Sequence, residues 1–236
     1  MKKAIIIPTF NEKENIEKLI SRILFNIPDA DIFIIDDTLE NDIKTIIKKF
    51  KINYHHRGKK LGRGSAVLMG FAEALKIDKY DVFIEMDADL SHNPDEINNN
   101  LKKFRSENLD LLISSRYLAK SSIINWGFNR KLFSKASNIL ARFLLSIPVS
   151  DYTNGFRFYS FDAIKFVTAN CGRIGGGFVI LSEILMQLYY NNFKVGETST
   201  IFRNRVRGES SVNTKEVINS LLGLWKLYKI KKIKKF

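Results

Sequence analysis

The chain has 236 residues, 45% of them hydrophobic, and a formal net charge of +13. That length and apolar content support one α/β domain with a substantial core, and the positive charge fits an anionic partner without choosing among nucleic acid, an acidic lipid surface and a phosphorylated substrate. One cysteine, Cys171, excludes an internal disulfide, and one thiol with three histidines argues against a structural zinc site, so a reducing compartment fits best.

In chain order, the apolar run Ala4 to Ile7 stops at Pro8 and meets Asn11 and Glu12, which reads as a first buried strand and not as a signal peptide. Asp31 to Ile35, Val82 to Met86 and Leu109 to Ile113 read as further strands, with a shorter one near Asn53 to His55. Helical patterns lie between them: Asn15 to Ile27, with Ile16, Leu19, Ile20, Ile23 and Leu24 on one face, then Ser65 to Lys76 and Pro94 to Phe104. Repeated βαβ units with strands apolar throughout predict a parallel sheet buried on both faces, whose ligands gather at the carboxyl ends of the strands. Four polar clusters then share one rim: Thr9 to Glu12, Asp36-Asp37, Asp87-Ala88-Asp89 and Ser114 to Tyr117.

The second half is less regular. It offers a helix from Asn129 to Ser146, a loop and strand around Asp151 to Tyr159, and a glycine-rich turn at Gly172 to Gly177. A helix around Phe178 to Tyr190, a strand near Lys194 to Phe202, a basic loop from Arg203 to Ser211 and a last helix from about Lys215 follow. The expected division is a catalytic domain over 1–213 and a basic amphipathic tail over 214–236. No stretch approaches the roughly 18 to 20 apolar residues of a membrane span. In the tail, Leu221, Leu222, Leu224 and Trp225 alternate with lysines, which suits either an interfacial helix or a helix packed on the domain. Ile139, Leu140, Phe143 and Leu144, interleaved with Arg130, Lys131, Lys135 and Arg142, repeat that character, so docking on an anionic membrane surface is expected.

The acidic pair Asp87 and Asp89 ends a strand, where two carboxylates at i and i+2 reach one hard cation that also binds phosphate oxygens. An isolated Asp-x-Asp is more often a solvated strand cap. The neighbouring Asp36-Asp37 favours the metal, Mg²⁺ or Mn²⁺, both of which accept oxygen ligands. His92 is expected at the surface or at a helix entry and not as a ligand. Gly62-Arg63-Gly64-Ser65 lacks the Gly-Lys-Ser/Thr of a phosphate loop and reads as a tight turn. Arg116, Arg130, Arg157 and Arg205 lie in dissimilar loops and offer guanidinium groups suited to phosphate.

Pro8-Thr9-Phe10-Asn11-Glu12, Asp36-Asp37, Lys60-Leu61-Gly62, Met86 to Pro94, Ser115-Arg116-Tyr117, Trp126, Arg130, Asp151 to Arg157, Glu183 and Phe202 to Ser210 together resemble glycosyltransferase family 2, within it the dolichyl-phosphate mannose synthases. The resemblance implies a GT-A fold, Rossmann-like with a mostly parallel sheet, and inverting transfer of a hexose, mannose from GDP-mannose, to a polyprenyl phosphate. It implies that Pro8, Phe10, Glu12, Ile35 and Asp37 hold the nucleoside, and that Asp87, Ala88 and Asp89 meet the diphosphate and metal. Arg116 and Arg205 would meet the sugar-diphosphate, with Arg130 and Ser134 on the acceptor phosphate. It also implies the short form without transmembrane helices, peripheral on the cytoplasmic face of a membrane, with room for a membrane-protein partner. Thr38-Leu39-Glu40, Arg63 and Ser211 depart from the family pattern.

A lipid phosphate is already an oxyanion, so attack on the anomeric carbon needs positioning and leaving-group stabilisation more than a strong base. Glu183 is accordingly read as structural. The alternatives are a UDP-sugar donor, a hydroxyl acceptor, or a weakened relative that only binds donor. Nucleic acid is not expected as a partner, because no recognition module accompanies the charge.

Overall fold

A computed structural model of the chain describes residues 1–40, 43–175, 177, 179–204 and 214–234. Seven strands form one sheet: β1 (Lys3–Thr9), β2 (Asp31–Asp36), β3 (Ile52–His56), β4 (Val82–Glu85), β5 (Leu111–Ser115), β7 (Arg157–Ser160) and β8 (Val195–Ser199), in the order β3-β2-β1-β4-β7-β5-β8. All run parallel except β7, which is antiparallel to both β4 and β5. β6 (Ser122–Ile124) and β9 (Ile201–Arg203) make a separate parallel pair.

The strands bury both faces, as their unbroken apolar runs predict. In β1, Ala4 and Ile6 face one core cluster while Ile5 and Ile7 face the other. One face is covered by α1 (Lys13–Asn26), α2 (Ile43–Ile47) and α4 (Ile97–Ser106), through Ile16, Leu19, Ile43 and Leu101. The other is covered by α3 (Arg63–Leu75), α6 (Phe161–Asn170) and α7 (Val179–Tyr190), with α5 (Phe128–Leu145) and α8 (Thr214–Lys234) at its margin. Helix α3 lies close on the sheet at Gly70, where a Cβ would come within 2.6 Å of Ile6 Cγ2.

Several expectations are corrected. The run Lys194 to Phe202 is two strands in different sheets, broken at the buried Thr200, whose hydroxyl donates to Glu96 Oε2 at 2.6 Å. The loop and strand expected around Asp151 to Tyr159 are found, the strand being β7, but it runs antiparallel. Helix α6 is additional, capped by Ser160, whose Oγ accepts from Ala163 N. Helix α8 packs against α5 and α7 and buries Leu224 and Leu227. The domain boundary expected at residue 213 lies outside the described residues. Among the described residues no helix is long and apolar enough to cross a membrane.

Candidate active site

The carboxyl ends of β1, β2, β4 and β5 lie on one rim, which brings the four polar clusters together. At its β2 end the acids are already engaged. Asp36 accepts from Thr9 Oγ1, Thr38 N, Thr38 Oγ1 and Tyr54 Oη. Asp37 is buried and accepts from Arg57 Nε at 2.5 Å, Leu61 N at 2.8 Å and Gly62 N at 2.9 Å. Its carboxylate thus organises the 57–62 loop, and two main-chain N–H groups that a phosphate loop would offer an anion are turned to Asp37. The tight turn expected over Gly62 to Ser65 is corrected: Gly62 is the N-cap and Arg63, Gly64 and Ser65 are the first residues of α3. Lys60 Nζ lies 4.5 Å from the Phe10 ring centroid, joining this loop to the one after β1.

Of the other residues expected around the nucleoside, Phe10 and Glu12 are half-buried on the rim and Pro8 is buried at the end of β1. Ile35 does not reach the rim through its side chain, which is fully buried and turned to α3 beside Gly70.

Beneath the Asp-x-Asp pair runs a buried polar chain. Tyr159 Oη donates to Glu85 Oε2 at 2.7 Å, Arg63 Nη1 donates to Glu85 Oε1 at 2.7 Å, and Arg63 Nε donates to Asp87 Oδ1 at 2.8 Å. Burial opposes the charge on Arg63, but Asp87 and then Glu85 outweigh it and raise its pKa. Gly155 lies against this cation: a Cβ there would sit 1.9 Å from Arg63 Nη2, so the guanidinium would have to shift from its partners. His92 is 1% exposed, not superficial. Its Nδ1 accepts from Asp87 N at 2.9 Å while Nε2 pairs with Asn154 Oδ1 at 2.9 Å, which fits the neutral Nε2–H tautomer and makes it a brace of the Asp87 loop. The expectation that His92 is not a ligand agrees with that bonding; the surface placement is corrected.

Asp87, Asp89 and Ser91 line a cavity of about 230 Å³ that continues between α5, α7 and α8. Asp89 Oδ1 accepts from Ser91 N, and the Ser91 hydroxyl is buried with no hydrogen-bond partner among the described residues. Two carboxylates and an orphaned hydroxyl form an all-oxygen donor set that fits a hard divalent cation. No cluster of three or more Asp, Glu, His or Cys suited to a metal occurs among the described residues, so substrate oxygens and water would complete the coordination.

Arg116 enters the cavity from the end of β5. Its Nε and Nη2 donate to Asp151 Oδ2 and Oδ1, both at 2.8 Å, and Nη2 also reaches Thr153 Oγ1 at 2.6 Å. Burial would raise the Asp151 carboxyl, but Arg116 and the surrounding hydrogen bonds hold it below the usual carboxylate range. Beyond it, Arg130, Ser134, Ser137 and Ala141 form one stripe of α5 along the cavity. Arg130 Nη1 donates to Asn204 Oδ1 at 3.1 Å, and Ser134 Oγ accepts from Tyr117 Oη at 2.6 Å. Trp126 lies between the two arginines, with Arg130 Cζ 4.1 Å and Arg116 Cζ 5.7 Å from its centroid.

The cavity thus gathers Asp87, Asp89, Arg116, Arg130 and Ser134, whereas the Ala88 side chain is buried in the core. Arg157 is corrected: it is fully buried and donates to the carbonyls of Asn154, Leu181 and Tyr152, leaving no role at a phosphate. Arg205 and Ser211 lie outside the described residues. Glu183 is buried away from the cavity lining, accepts from Arg173 N, and has a carboxyl raised by desolvation despite main-chain donors at 172–174. Ser91 and Trp126 were not singled out from sequence as polar contributors, although each stands inside a motif that was.

A carboxylate pair and paired arginines at the carboxyl rim of a Rossmann-like sheet define a GT-A fold, and solved structures agree. Glucosyl-3-phosphoglycerate synthase from Mycobacterium tuberculosis, in complex with Mn²⁺, uridine diphosphate and glucosyl-3-phosphoglycerate, superposes with TM-score 0.70 at 15% identity, covering 97% of this chain and 80% of that one. The chain belongs to glycosyl transferase family 2, which matches residues 4–168. It is 34% identical to dolichol-phosphate mannosyltransferase of Pyrococcus furiosus over 97% of this chain, and it spans 64% of that relative's length. It is 30% identical to polyprenol monophosphomannose synthase of Mycolicibacterium smegmatis over 89% of this chain and 80% of that one.

Proposed function

We propose that this chain transfers a hexose, mannose from GDP-mannose, with inversion to the phosphate of a polyprenyl phosphate. One observation carries the reading: a single cavity is lined both by Asp87, Asp89, Arg116 and Arg130 and by Phe133, Val179, Leu221 and Leu224. Such a site suits a nucleotide sugar meeting an amphiphile with an anionic head. The names of the two relatives, a dolichol-phosphate mannosyltransferase and a polyprenol monophosphomannose synthase, support the sugar and the acceptor.

In this reading Asp37, through Arg57 and the 57–62 loop, shapes the nucleoside seat with Pro8, Phe10, Glu12 and the Ile35 main chain. Asp87, Asp89 and Ser91 would hold Mg²⁺ or Mn²⁺, whose chemistry is to offset the charge that builds on a departing diphosphate. Arg116, fixed by Asp151, presents a cation aimed before the reaction begins, so little reorganisation accompanies charge development. Arg130 and Ser134 orient the acceptor phosphate, whose oxygen attacks without a protein base. Arg205 is proposed beside the diphosphate on the resemblance alone.

Helices α5 and α8 pack together and expose Phe128, Ile139, Phe143, Leu222 and Trp225 among lysines and arginines. We assign this strip to an anionic membrane surface on the cytoplasmic side, with 214–236 as the amphipathic element of the 1–213 domain. Nucleic acid has no place in the reading. The test is to incubate the chain with a panel of nucleotide sugars, Mg²⁺ or Mn²⁺ and a short polyprenyl phosphate and to weigh the lipid product. A gain of one hexose from GDP-mannose supports it. A UDP-sugar as sole donor corrects the nucleotide, and no product from any donor overturns it.

A further inference from the structure

Trp126 lines the cavity between Arg116 and Arg130, yet its packing explains only its ring. Arg130 and Arg116 lie over the ring, and Phe202 meets it edge-on at 5.3 Å between centroids. A phenylalanine would satisfy all of those contacts. The remaining polar atom, Nε1, is buried and has no hydrogen-bond acceptor among the described residues. An indole nitrogen can only donate, and a buried donor left unmade opposes folding, so it is found where another gain offsets it.

The surroundings point to an anion. Two guanidinium groups within 6 Å of the same ring draw negative charge to its edge, and they occupy the ring's π surface. Arg130 is the nearer of the two and shares its stripe of α5 with Ser134. A nucleotide diphosphate would meet Asp87 and Asp89, which follow β4 and are not on α5. We propose that Trp126 Nε1–H donates to a terminal oxygen of the lipid phosphate, as a neutral third donor beside Arg130 and Ser134. This rests on the acceptor reading given above. A neutral donor adds direction without a further charge, favouring a phosphate monoester lying along α5 over any anion that the arginines attract.

The chain has two tryptophans, Trp126 and Trp225, so the ¹⁵N-labelled protein gives two indole N–H resonances, and Trp126→Phe identifies one by its loss. On titration with farnesyl phosphate the Trp126 resonance moves to lower field. Farnesol, with the same tail and no phosphate, and GDP-mannose with Mg²⁺ leave it in place. In calorimetry Trp126→Phe weakens farnesyl phosphate binding about tenfold while GDP-mannose affinity is retained. A resonance unmoved by farnesyl phosphate, moved equally by farnesol, or moved only by GDP-mannose overturns the proposal, as does unchanged farnesyl phosphate affinity in the variant. The downfield shift without any sugar transfer would sustain this role and sink the enzymatic reading; transfer with an unmoved resonance would do the reverse.

Discussion

Arg63 Nε donates to Asp87 Oδ1 at 2.8 Å, so the first carboxylate of the Asp-x-Asp pair carries its own buried counter-charge. The same guanidinium holds Glu85, which is fully buried. In the proposed reading this counter-charge lowers metal affinity before the nucleotide arrives. Arg63→Leu raises calorimetric Mn²⁺ affinity by about tenfold or more, because one positive charge leaves the site's edge. It also costs about 3–5 kcal/mol of stability, since Glu85 is left buried without its cation. Unchanged Mn²⁺ affinity in a folded variant would contradict this role.

Asp151 binds Arg116 bidentately in the interior, and breaking such a pair strands the remaining charge. Asp151→Asn is expected to lose about 3–5 kcal/mol in urea denaturation and to lose transfer activity as Arg116 comes loose. The pH dependence has a definite sign. A carboxyl with a depressed folded pKa stabilises the protein above the unfolded value of about 4 and loses that contribution as pH falls through the folded value. The acid limb of the wild-type stability curve is therefore steeper than that of Asp151→Asn below about pH 4.

Glu183 accepts from the 172–174 main chain, and in the proposed reading it is structural and not the base. Desolvation raises its carboxyl, so the ionised form is disfavoured in the folded state and stability from this group falls as pH rises through its folded pKa. Glu183→Gln keeps kcat within about threefold, a change of under about 1 kcal/mol in the barrier. A loss of a hundredfold or more with the fold intact would make Glu183 the missing base.

Phe128 and Phe143 on α5 are 77% and 80% exposed, an arrangement water does not favour. Their joint change to serine should reduce flotation with anionic vesicles by tenfold or more, since each buried phenylalanine contributes about 1.5–3 kcal/mol. Equal flotation would remove α5 from the membrane surface.

Much of this was readable from the chain. Strands β1, β2 and β4 declare themselves because both faces are buried, and Ala4 to Ile7 offers no polar position to misassign. The rim follows from parallel order alone. What escaped depends on partners far apart in sequence. Arg63 and Glu85 are separated by 22 residues and Arg116 and Asp151 by 35, so no local period announces either pair. Arg157 looked like a phosphate ligand because nothing nearby says that β7 inserts antiparallel between β4 and β5 and draws it into the core. His92 was misplaced for the same reason, its Asn154 partner lying 62 residues on. Helix α6 had a usable signal in Ser160 and Asp162, an N-cap followed by an acid in the first turn.

The most direct measurement compares sugar transfer to a polyprenyl phosphate and to the matching polyprenol, in wild type and Asp89→Asn. Wild type is expected to glycosylate the phosphate and leave the alcohol untouched, and Asp89→Asn to lower the rate by about a hundredfold or more, roughly 2.7 kcal/mol or more of lost transition-state stabilisation. Product from the alcohol, or an Asp89→Asn rate equal to wild type, would contradict a cavity built to join an activated sugar to a lipid phosphate.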